Sequence, residues 1–264
     1  MLVVAVLLDG CGAAATAESD DSAFSVMDPA RGASILPEIE STRGSPSVCV
    51  GLLGFEASDR AMAAEKIQTL VRDTATKWNA LLEGNPEWSL PQGPIEPVFH
   101  VQDTECPRTG PGLNVNVWAT EARFKDDYCS RPNYKCSSGA IPQYRTLYLG
   151  PWSHTKPADV FDAYRLLHEY GHLLGLGDTY RRPGVTNWVG EQPPSVMSGG
   201  SQVLTDDDKL GLWVALRTLR TGRRSCEGFG VDVAMTENTK NLLVCDPSAV
   251  PENTHGTPSP TSRP

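Results

Sequence analysis

No excess of positive charge is present in this chain: 32 Asp and Glu outnumber 23 Lys and Arg, for a net charge of −9 and a pI near 5.1. That balance argues against nucleic acid as the main partner, since phosphate binding needs clustered cations. Long apolar runs are missing as well. The only membrane signal is Met1-Leu-Val-Val-Ala-Val-Leu-Leu8, and eight residues are too few to span a bilayer as a helix, which takes about 20. There is no CxxC pair to support a cysteine-bound metal. The aspartate run at 206–208 lacks the spacing of an EF-hand calcium loop, and no segment repeats. What remains is an ordinary globular composition, 39% hydrophobic and 21% charged over 264 residues.

The apolar N-terminal run suits the core of a secretory signal, although no Lys or Arg precedes it. Leu8-Asp9-Gly10-Cys11 resembles a bacterial lipobox, which implies membrane attachment through a lipidated Cys11 and an extracellular or cell-envelope location. Residues 1–11 are thus expected to be a signal segment. Setting Cys11 aside leaves an even set, Cys49, Cys106, Cys129, Cys136, Cys226 and Cys245, enough for three disulfides in an oxidising compartment. Six cysteines allow 15 connectivities. The short spacing favours Cys129 with Cys136, and Cys226 with Cys245 would tie down the C-terminal segment.

Residues 12–47 are rich in Ala, Ser, Asp, Glu, Gly and Pro without apolar periodicity, as in a disordered tether or short pro-segment. Residues 247–264 read as a disordered tail. Between them, 48–246 form one expected domain. Residues 48–55 read as a buried strand, and Ile67, Leu70, Val71, Thr74, Trp78, Leu81 and Leu82 form the stripe of an amphipathic helix ending near Gly84. Strands are expected at 97–101, 113–119 and 145–150, and a long, largely buried helix from Pro157 to about Leu174.

That helix carries the chemistry. His168 and His172 are four apart, so their imidazoles leave one face of the helix and can hold one metal ion. Glu169 is placed to act as a base without being a ligand. Zinc lowers the pKa of its water to about 7, so a carboxylate beside it can generate hydroxide at neutral pH. Gly175 suits a helix stop, and Asp178 supplies a carboxylate as third protein ligand, leaving a fourth position open. His154 is the alternative third ligand; His100 and His255 have no partner at ligand spacing.

The pattern His168-Glu169-x-x-His172-x-x-Gly175-x-x-Asp178 resembles the extended motif of the metzincin clan of zinc peptidases, with Asp where its third His is usual. The aspartate form is similar to the snapalysin group of small secreted bacterial neutral proteases. Pro194-Ser195-Val196-Met197-Ser198-Gly199 is similar to the clan's methionine turn, which implies that Met197 lies beneath the metal. Residues from Leu204 on look like the start of its C-terminal helix, with Thr205 as N-cap. The implied fold is α/β (α+β): a small twisted mixed sheet, an active-site helix, the methionine turn and a C-terminal helix. No tyrosine follows Met197, and the cysteine-switch pattern of matrix metalloproteinases is missing. No residue is assigned to stabilise an oxyanion: Tyr180 is close to Asp178, but reads more simply as a packed surface tyrosine.

The expected activity is therefore a monomeric zinc metalloendopeptidase acting on protein or peptide. Its substrate would lie extended beside an edge strand, with 145–150 or 113–119 as candidates. Two rivals share the pattern. A zinc hydrolase of a non-peptide amide, such as a cell-wall fragment, would use the same chemistry. A non-catalytic zinc-binding surface lipoprotein would keep the fold, but has no need of Glu169.

Overall fold

The computed structural model describes residues 34–90, 94–108, 112–131, 138–150, 163–177, 195–198 and 201–222. In chain order these form α1 (Leu36–Ser41), β1 (Ser47–Leu53), α2 (Ala57–Ala80), β2 (Val98–Gln102), β3 (Leu113–Trp118), α3 (Glu121–Phe124), β4 (Gly139–Ile141), β5 (Thr146–Leu149), α4 (Ala163–Leu173) and α5 (Asp206–Thr221). A π-helical turn, Lys125–Cys129, continues α3, and a short 3-10 turn, Val196–Ser198, precedes α5. None of the described helices is long and apolar enough to cross a membrane.

The five strands make one mixed sheet in the order β2-β1-β3-β5-β4, parallel except for the antiparallel β4–β5 pair. Strand side chains alternate between faces. Val48, Val50, Leu52, Leu113, Val115, Val117, Leu147 and Leu149 therefore join one apolar core with Ile67, Val71 and Trp78 of α2 and the buried residues of α4 and α5. The opposite face is covered differently. Its far end carries the aromatic cluster of Trp118, Phe124, Tyr128 and Tyr148, and its near end the polar side chains Asn114, Asn116 and Thr146. Asn116 Oδ1 accepts from Cys106 N at 2.8 Å, and a Cys49–Cys106 disulfide ties β1 to the segment after β2.

The strands predicted at 97–101, 113–119 and 145–150 are present, and α2 extends further N-terminally than its apolar stripe suggests. The edge-strand expectation is corrected. β3 lies between β1 and β5, and β5 between β3 and β4, so among the described residues the edges are β2 and β4. β4 has three residues beginning with Gly139 and Ala140, too short a stretch to show a period-two pattern.

The start of the folded body is corrected too. Residues 34–46 were expected to belong to a tether, but Ile35, Leu36 and Ile39 are buried in the main core, and Ile35 N donates to Leu173 O at 2.9 Å. One turn of helix buries too few apolar residues to show periodicity. Cys129 is disulfide-bonded, but its expected partner Cys136, like Cys11, Cys226 and Cys245, lies outside the described residues. So do the signal segment, residues 12–33 and the tail.

Candidate metal centre

α4 is held from two sides. Leu166, Leu167, Tyr170 and Leu173 bury its apolar face, and Trp78 Nε1 of α2 donates to Leu167 O at 3.1 Å. Burial pushes the Tyr170 hydroxyl pKa well up, so it stays neutral in the core.

The helix ends in a Schellman motif, with Gly175 at φ +100°, Leu176 N donating to Gly171 O at 3.0 Å and Gly175 N to His172 O at 3.1 Å. A positive φ is strained for residues with a Cβ, so Gly175 is what permits this reversal. The turn has a chemical consequence. It brings Leu176 O to 2.8 Å from His172 Nδ1. A carbonyl can only accept, so Nδ1 carries the proton and Nε2 is the nitrogen with a lone pair.

His168 is set in the same way from a distant segment: its Nδ1 lies 2.9 Å from Val196 O, 28 residues further along the chain. The two rings meet edge to face with centroids 4.9 Å apart. Glu169, 7% exposed, joins them; one ligand atom from each of His168, Glu169 and His172 lies within 4.8 Å of the others. Two imidazole nitrogens beside a carboxylate could hold a metal ion, imidazole being a ligand that zinc, copper, iron and nickel all accept. Imidazoles whose second nitrogen is held by a carbonyl are the usual state of metal-binding histidines. The residues present therefore fit a metal ion.

The side chain of Met197, 1% exposed, packs against α4 at Gly171, next to His172 in the chain. A Cβ on Gly171 would collide with Met197 Sδ and lie 3.0 Å from Trp78 Cζ2. The structure thus brings together His168, Glu169, His172, Gly175 and Met197. Asp178, His154 and Tyr180 lie outside the described residues, and His100 sits on exposed β2, on the edge of the sheet.

Sequence reasoning assigned no role to the carbonyls of Val196 and Leu176 or to Gly171. A backbone carbonyl has no residue identity to read. Gly171 did carry a signal, because glycine inside a helix is less favourable than alanine by about 1 kcal/mol and implies a close approach.

No protein family, curated protein or solved structure matches this chain.

Proposed function

We propose that this chain is a zinc-dependent metalloendopeptidase of metzincin type. The observation that carries the reading is a buried carboxylate, Glu169, beside two histidines whose Nδ1 atoms are both turned to backbone carbonyls. A purely structural metal site needs the histidines but not the carboxylate.

His168 and His172 would hold the ion through Nε2, with Asp178 as third ligand and His154 as the alternative. When bound, zinc supplies Lewis acidity, polarising the scissile carbonyl and lowering the pKa of water to about 7. Glu169 takes the proton from the attacking water and passes it to the leaving amine. β4, at the end of the strand order among the described residues and packed beside α4, is where an extended peptide would add as a further strand, which favours a polypeptide over a compact amide. The even cysteine set and the Cys49–Cys106 bridge support export, with Cys11 as the lipid anchor.

Glu169→Gln tests the mechanism. Hydrolysis of unfolded casein should fall at least about 100-fold, while zinc stoichiometry stays at the wild-type value. Retained hydrolysis would sink the mechanism, and loss of zinc would make Glu169 a ligand instead.

A further inference from the structure

Asp208 is 1% exposed and makes more hydrogen bonds than the start of a helix requires. Its Oδ2 accepts from Thr205 N at 2.9 Å, one half of the N-terminal capping box of α5, and also from Thr205 Oγ1 at 3.1 Å. Two further bonds leave the helix. Oδ1 accepts from Ser195 Oγ at 2.6 Å, and Oδ2 from Val196 N at 3.2 Å.

Ser195 Oγ in turn accepts from Met197 N at 2.9 Å. That N–H belongs to the same peptide plane as the carbonyl of Val196, which accepts from His168 Nδ1. A continuous chain follows: imidazole N–H to carbonyl, across one peptide group, then amide N–H to hydroxyl and hydroxyl to carboxylate. The plane is held at both ends, so it cannot rotate without breaking a bond to a buried group. Each bond polarises the next, and the carboxylate at the far end strengthens the acceptor facing His168.

We propose that Asp208 is a positioning residue for His168, acting through Ser195 and the Val196–Met197 peptide to fix the ring and raise its donor strength toward a metal. The proposal rests on the reading of His168 as a metal ligand. Capping α5 is the merely structural role to be separated from it.

The test uses Asp208→Ala, Ser195→Ala and Arg217→Met. The last breaks the 2.7 Å pair between Arg217 and Glu87, further along the same helix, without touching the chain. Zinc affinity, measured by competition with a chromogenic chelator, should weaken about 10- to 100-fold in Asp208→Ala and about 10-fold in Ser195→Ala. Arg217→Met should lower Tm and leave the affinity unchanged. In zinc-free, histidine-labelled protein, the His168 Nδ1–H resonance, assigned by its absence in His168→Ala, should shift or broaden in the first two variants only.

Ser195→Ala keeps the carboxylate and the cap, so it decides the question even if Asp208→Ala fails to fold. Wild-type affinity with an unchanged resonance in Ser195→Ala overturns the proposal. An equal loss of affinity in Arg217→Met does so as well. A resonance that responds in a protein that binds no zinc would sink the metal reading and leave the positioning chain standing.

Discussion

Gly171 sits one residue before His172, where alanine would be the better helix former by about 1 kcal/mol. The packing reverses that preference, because Met197 and Trp78 occupy the space a methyl group would need. Gly171→Ala should therefore destabilise the zinc-free protein by roughly 1–3 kcal/mol in urea unfolding, against the propensity scale. Met197→Ala should cost roughly 2–5 kcal/mol through the cavity it leaves. The double variant should lose less than the sum by at least about 0.5 kcal/mol, since the cavity accepts the new methyl. Strict additivity would mean that the two residues do not press on each other. At this scale His168, Glu169 and His172 were legible, because their spacing on a helix fixes their mutual position. The atoms that set the histidine tautomers were not, since both are main-chain oxygens.

Among the elements, α5 was read from its acidic first turn and Thr205, and the structure has Thr205 as its cap, in a capping box with Asp208. The same turn contains a strained charge. Asp207 has its pKa raised to about 6, first by burial and then by the neighbouring Asp208 and Asp206. The folded state thus binds this proton more tightly than the unfolded chain, whose value is 3.8. Its contribution to stability is complete below that pKa and is lost as pH rises through about 6. Asp207→Asn does not titrate, so it should gain Tm relative to wild type between about pH 4 and pH 7 in zinc-free protein. A difference that stays constant across that window would mean Asp207 ionises normally. β4 is the opposite case: its place at the sheet edge beside α4 comes from the β4–β5 hairpin, and three residues carry no pattern from which to infer it.

Over the whole molecule, the N-terminal segment is the main revision. A chain cut at residue 48 would discard Ile35, Leu36 and Ile39, and with them the bond from Ile35 to the last turn of the helix that carries His168 and His172. Leu36→Ala alone should cost roughly 2–5 kcal/mol in urea unfolding; a change under about 0.5 kcal/mol would show the segment to be peripheral. The Cys49–Cys106 bridge acts at the same scale. It closes a separation of 57 residues, which removes roughly 4 kcal/mol of unfolded-chain entropy.

By itself the sequence determined the features that local geometry can fix: two histidines and a glutamate on one helix, a glycine that ends it, a capped acidic helix and the alternating strand of 113–118. These follow from residue identity and a helical or extended period. Only the tertiary structure decided which described strands lie at the edges, that residues 34–46 pack into the core, and which nitrogen of each imidazole donates to a carbonyl. Those outcomes depend on main-chain atoms meeting across the fold, as Val196 O meets His168 across 28 residues, and a main-chain atom has the same chemistry whatever side chain it bears.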